Sequence, residues 1–235
     1  MYKSGEVIMN NTLLGLLFII VHFGLVLFAY RQFGKTGLMV WIAISTILAN
    51  IQVLKGIEII GLQATLGNTL YGSIFFATDI LSEKYGKKDA TRSVYLGFFS
   101  AITLLITMQM ALAFVPLQDD FALAVQDAFA LIFGFSGRIV FASLTAYIIS
   151  QLLDVSIYSK IRQKLPSDRW LWVRNNVSTM FSQAVDTVIF VSIAFWGMSY
   201  DLMQIMLSTY ILKFMIAAMD TPFLYLAKRI EPKSN

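Results

Sequence analysis

Apolar residues in this chain fall into seven runs of 18 to 24 residues, separated by short polar stretches that hold most of the charge. A helix crosses the hydrocarbon core of a bilayer in about 20 residues. The runs therefore predict spans at Thr12–Tyr30, Gly37–Leu54, Ala64–Ser82, Ser93–Pro116, Gly137–Tyr158, Val177–Trp196 and Gln204–Ala227. Gly56–Gln63 is too short to span, and Gly61 predicts a turn or a shallow dip there. Phe121–Phe135 is apolar but interrupted by Gln126 and Asp127, with Gly134, Ser136 and Gly137 at its end, which predicts an interfacial or re-entrant element on the outer side. The expected fold is all-α: one polytopic bundle of seven transmembrane helices forming a single domain over residues 1–235.

Composition agrees with this reading. The chain is 57% hydrophobic and 14% charged, with a mean hydropathy of +0.70, outside the range of ordinary soluble domains. The absence of cysteine excludes disulfides, thiolate catalysis and sulfur-ligated metals, and a single histidine, His22, excludes a bis-histidine haem. No small-residue cleavage site follows the first run, so it reads as a retained helix. With alternating spans, Arg31, Lys35, Lys84, Lys87, Lys88, Arg92, the Lys160–Arg174 basic loop, Lys228, Arg229 and Lys233 share one side, and only Lys3 and Lys55 lie on the other. By the positive-inside rule the N-terminus is outside and the C-terminus cytoplasmic. The net charge of +4 reflects this loop asymmetry and gives no reason to expect nucleic acid as a partner.

Polar residues inside the runs are the exceptional positions, because an Asp at a helix centre costs roughly 2.5–3.5 kcal/mol even on the gentler insertion scales. Asp186 lies near the middle of the sixth run, with Gln183 one turn earlier on the same face. Lys213 is the second deeply placed charge. Helical rise puts Asp186 about 13–14 Å and Lys213 about 20 Å from their inner helix ends, close enough in depth to pair once tilt is allowed. Asp79 lies about one turn inside the apolar boundary, whereas Glu83 and the lysines after it read as an ordinary charged helix end. Gln151 and Asp154 share one face of the fifth span, which opens with Arg138. Asn50 and Gln109 are the polar side chains of the second and fourth spans, either bonding neighbouring helices or donating to a ligand. Asp220, followed by Pro222, predicts a kink or local unwinding in the last span. His22 reads as a packing residue or a proton relay.

Enzyme readings find no support. A serine protease of the membrane lacks its motif and a partner for His22, an aspartyl protease lacks GxGD, and no His–carboxylate metal set can be assembled. A channel would show charge rings or a filter sequence, and neither is present. What remains is a dispersed set of donors and acceptors with 14% aromatic residues for stacking. This suits a flat, hydrogen-bonding small molecule. A carboxylate accepts two N–H groups side by side, as the N1–H and 2-amino edge of a guanine-like base presents them. The residues imply a transporter of a small polar solute and permit a nucleobase.

The stretches FFATDILSEKYGKK, GRIVFASLTAYIISQLLDVSIYSKIR, RNNVSTMFSQAVDTVIFVSIAFWG and YILKFMIAAMDTPFLYLAKRI resemble the queuosine-precursor transporter family, also called the vitamin-uptake-type family. The resemblance runs from about Asn50 onward. It implies import of 7-cyano-7-deazaguanine, 7-aminomethyl-7-deazaguanine or queuine across a bacterial inner membrane for tRNA queuosine modification, without a cofactor. On that reading Asp186, Gln183, Lys213, Arg138, Asn50 and Gln109 are expected to bind the base, and Asp79, Asp154 and Gln151 to serve gating or ion pairing. Two alternatives stand beside it: the substrate-binding membrane component of an energy-coupling-factor-type importer, and a non-transporting membrane sensor. A homodimer or energy-coupling subunits are the protein partners it allows.

Overall fold

A computed structural model of the chain describes residues 4–134, 137–198 and 201–233. Phe135, Ser136 and Lys3 of the sequence analysis lie outside them. The order is α1 (Ser4–Gln52), β1 (Gly56–Ile59), β2 (Leu62–Thr65), α2 (Leu66–Lys84), α3 (Lys87–Ala113), α4 (Asp120–Phe133), α5 (Gly137–Lys164), a 3₁₀ turn (Asp168–Trp170), α6 (Leu171–Phe195) and α7 (Leu202–Arg229). Among the described residues the fold is all-α apart from one small hairpin. Five helical stretches among the described residues are long and apolar enough to cross a membrane.

The first stretch comprises two antiparallel arms. Gly34, at φ 55° and ψ −136°, leaves the helical region at the junction, a conformation open to a residue without Cβ. The returning arm brings Trp41 back to His22, with ring centroids 6.0 Å apart. His22 is a packing residue: its Nδ1 lies 2.7 Å from the Phe18 carbonyl. Beyond the arm, β1 and β2 pair antiparallel through a two-residue turn. Ile60 and Gly61 both have positive φ there, as the tightest hairpin turns require. The exposed Ile60 amide donates to Thr12 Oγ1 at 3.1 Å, fastening the hairpin to the start of the outgoing arm.

Helix α2 is the axis of the bundle. Fifteen of its nineteen residues are buried, and α1, α3, α5 and α7 all pack on it. This explains how α2, which is not among those five stretches, carries its polar residues: protein surrounds it, and they turn away from lipid. The periphery shows the inverse pattern, with Phe28, Phe99, Phe141, Phe181 and Val188 turned outward. Such a surface is suited to hydrocarbon and unsuited to water. Helix α4 has no buried residue and leans on the end of α3, where Gln126 Nε2 donates to the Leu112 carbonyl at 3.3 Å. α7 continues as helix through Pro222. The expected local unwinding does not occur, because a proline removes only one rung of a long helix and Asn175 and Asn176 both donate to the neighbouring Thr221 hydroxyl.

The α1–α2 contact depends on a missing side chain. A Cβ at Gly67 would stand 2.6 Å from the Ala49 carbonyl oxygen and 2.8 Å from the Val53 backbone. Gly67→Ala is expected to destabilise the fold by roughly 1–3 kcal/mol through this overpacking. Gly24→Ala, with nothing within 4 Å, is expected to be neutral. Thermal unfolding of the detergent-solubilised variants distinguishes the two.

Candidate functional site

The side chains that sequence reasoning placed deepest meet. Asp186 of α6 and Lys213 of α7 form an ion pair, Nζ to Oδ2 2.5 Å, and Ser150 of α5 donates to the other carboxylate oxygen at 3.0 Å. Antiparallel packing of α5, α6 and α7 brings these three positions to one level. The pair forms the floor of a cavity of about 340 Å³. Its walls come from the ends of the helices away from the basic loops: Asn50 of α1, Asn68 and Tyr71 of α2, Gln109 of α3, Ser143 of α5 and Phe190 of α6.

Of the six residues expected to bind substrate, Asp186, Lys213, Asn50 and Gln109 line this cavity. Asn50 donates to the Thr46 carbonyl of its own helix at 2.7 Å. Gln109 donates to the Phe133 carbonyl at 2.6 Å, which joins the end of α4 to the cavity wall. Gln183 is buried one turn beneath the floor, with its Oε1 unpartnered. Arg138 is not in the lining, although its neighbours Ile139 and Val140 are. Its guanidinium donates to the Ile193 and Trp196 carbonyls, each at 2.5 Å. That is a cap on the C-terminus of α6, where unsatisfied carbonyls and the helix dipole favour a cation. Sequence reasoning missed Asn68, Tyr71, Ser143 and Ser150. Small polar and aromatic residues are common in spans, and only Ser150, on the face of Gln151 and Asp154, had any signal.

Below the floor the polar residues continue toward the basic end. Thr78 donates to Gln151 Oε1 at 3.4 Å, Thr179 to Asp79 Oδ2 at 3.1 Å, and Ser182 to Asp154 Oδ1 at 3.1 Å. The column ends at Glu83, whose carboxylate gathers four elements. Arg174, fully buried, grips it with Nη2 at 2.7 Å and Nε at 2.9 Å. Tyr158 donates at 2.9 Å and Lys228 at 3.0 Å. The expectation that Glu83 pairs with nearby bases holds in kind but not in partners. Its cations come from α5, α6 and α7, whereas Lys84 donates to the Lys228 carbonyl.

A buried ion pair is costly to break from one side. Lys213→Ala strands the Asp186 carboxylate and is expected to destabilise the protein by roughly 3–5 kcal/mol. The double variant Asp186→Asn/Lys213→Met is expected to recover most of that loss, as read by thermal unfolding at neutral pH.

Residues 65–227 match the model of a family described as "Putative vitamin uptake transporter". The chain is 48% identical over 229 residues, covering 97% of it and 99% of the relative, to a protein of Bacillus subtilis (strain 168) named "Probable queuosine precursor transporter". It is 29% identical over 221 residues, 88% of the chain and 96% of the relative, to the "Queuosine precursor transporter" of Escherichia coli (strain K12). No solved structure matches. The family match covers the cavity floor and the polar column beneath it, so the chain belongs to this vitamin uptake transporter family, whose members are transporters and not enzymes.

Proposed function

We propose that this protein imports a queuosine precursor, a 7-deazaguanine base, through the cavity above Asp186 and Lys213. The observation that carries the proposal is the floor itself: a carboxylate and an ammonium at mid-depth, facing a cavity of about 340 Å³ with amide and aromatic walls. That volume is near the lower end of small-molecule sites, about 300–1,000 Å³, and suits a bicyclic base better than a larger solute. Lys213 and Ser150 each occupy one acceptor site on Asp186. A carboxylate has about four such sites, which leaves it free to receive the N1–H and 2-amino groups of the base. Asn50, Asn68 and Gln109 offer amides to the remaining ring and carbonyl atoms, and Tyr71 and Phe190 offer faces for stacking.

On this reading the chain crosses the bacterial inner membrane seven times. The two arms of α1 count as separate spans and α2 as a span sheathed by protein. At 1.5 Å per residue α2 is about 28 Å long, enough for the hydrocarbon core. Helix α4 lies at the outer interface. The basic end, where Lys84, Arg162, Arg174 and Lys228 converge around Glu83, faces the cytoplasm. The cavity then opens outward and the Glu83 network closes the opposite end, the arrangement an importer needs while awaiting substrate.

Two tests follow. In cells lacking endogenous precursor uptake, Asp186→Asn is expected to lower uptake of 7-cyano-7-deazaguanine at least about tenfold with membrane insertion unchanged, because an amide has one acceptor oxygen where the carboxylate has two side by side and charge-assisted bonds contribute roughly 1.5–3 kcal/mol each. Normal uptake by this variant at low substrate concentration removes the assigned role. Wild-type uptake by the protein alone in liposomes separates a self-sufficient transporter from a component that needs energy-coupling subunits. The chain has no cysteine, so Thr187→Cys in the cavity wall is a clean reporter of access. Glu83→Ala in that background is expected to expose it to an impermeant thiol reagent from the cytoplasmic side, and unchanged protection argues against closure by Glu83.

A further inference from the structure

Beneath the cavity floor three aspartates are enclosed together. Asp79 of α2 and Asp154 of α5 have no exposed surface, and Asp220 of α7 is 1% exposed. Asp79 and Asp154 are held side by side by neighbouring residues of one helix turn: Thr179 bonds Asp79, Ser182 bonds Asp154, and the Ser182 hydroxyl also reaches the Thr179 carbonyl at 3.1 Å, while Asp220 stands within electrostatic reach of both. Donors are few. Thr179 serves Asp79 Oδ2, Ser182 serves Asp154 Oδ1, and Asn175 Nδ2 serves Asp220 Oδ1 at 2.6 Å. Asp79 Oδ1 and Asp154 Oδ2 have no donor, and neither does the amide oxygen of Asn175, a wholly buried side chain held against Asp220 by its own nitrogen.

No cation among the described residues balances these oxygens. The charged and titratable groups around the pair are Glu83 one turn away on α2, Tyr158 on α5, Arg174 on α6, and Asp220 and Lys213 on α7. Arg174 and Tyr158 are committed to Glu83, and Lys213 to Asp186. Ionised carboxylates present only acceptors, so two of them enclosed side by side without a cation repel, and a proton held by one both removes the repulsion and supplies a donor to the other. A metal ion fits less well: no group of three His, Cys, Asp or Glu among the described residues converges as one would need.

We propose that Asp79 and Asp154, with Asp220 beside them, form a proton-binding site through which import is coupled to proton entry. This rests on the import reading above. The site joins the four helices that also close the cytoplasmic end at Glu83 and includes the two, α6 and α7, that supply the Asp186–Lys213 floor. Gln151 and Gln183 lie between site and floor with an unpartnered amide nitrogen and oxygen respectively. Loading a proton joins Asp79 to Asp154 and draws α2 to α5. Losing it to the cytoplasm leaves two carboxylates that repel, which loosens the helices holding the closed end.

The test uses the purified full chain in liposomes at clamped membrane potential, with 7-cyano-7-deazaguanine as substrate. For one proton per base, an inside-alkaline gradient is expected to raise steady accumulation about tenfold per pH unit, and substrate addition is expected to carry protons inward. Asp79→Asn and Asp154→Asn are expected to keep gradient-free exchange of the base and lose the response to pH. A wild-type protein that exchanges the base but ignores the pH gradient, or follows a sodium gradient instead, overturns the proton site and leaves the import reading intact. Absence of both binding and exchange overturns the import reading and the proton site with it. Should an aspartate variant also lose exchange, Ser182→Ala keeps every carboxyl and removes the donor to Asp154. The pH of half-maximal accumulation is then expected to move, and an unmoved profile overturns the proposal.

Discussion

Burial of charge away from lipid is the constraint on which the rest of this structure depends. Asp186, Lys213, Asp79, Asp154, Asp220, Glu83 and Arg174 are all buried, and none would be tolerated against hydrocarbon. They are tolerated because they are stacked along one interior column, with α2 on its axis and α5, α6 and α7 around it. Helix packing and polar placement are one problem here. The glycines that let α2 approach its neighbours also bring its acids within reach of donors on α5, α6 and α7.

The column differs sharply in how well its members are satisfied. At the basic end Glu83 receives Arg174, Tyr158 and Lys228, and the remaining Arg174 nitrogen reaches the Leu165 and Ser167 carbonyls at 2.9 and 3.1 Å. Nothing in that network lacks a partner, so it is suited to hold a shape. The middle is rich in acceptors and poor in donors, and so is suited to take on a positive species and change state. The upper end carries balanced charge that faces open space, the condition under which a polar solute finds partners without displacing protein ones. A saturated end, an unsaturated middle and an open top form a sequence of environments along the axis of the bundle.

The outer surface completes the arrangement. Large apolar side chains face outward on every peripheral helix and the interior is polar, an inversion of the soluble pattern that only a bilayer accommodates. Helix α4, with no residue buried, is tied to the cavity wall through Gln109 and Phe133.

Much was legible in the chain itself. The length and spacing of the apolar runs determined the helices, and the alternation of basic loops determined which helix ends lie together, because hydrophobic thickness and loop charge are local properties. The pairing of Asp186 with Lys213 was readable from depth alone, since a charge at mid-membrane has few positions at which to find its opposite. The reversal at Gly34 and the β-hairpin around Gly61 were signalled only as breaks. What the sequence could not decide was which polar side chains face each other. Arg138 read as a ligand group and caps α6; Glu83 read as a routine helix end and organises four elements; Asp79, Asp154 and Asp220, 141 positions apart from first to last, share one enclosure. Those outcomes depend on the rotation of each helix about its axis and on contacts between residues distant in the chain, and only tertiary packing sets them.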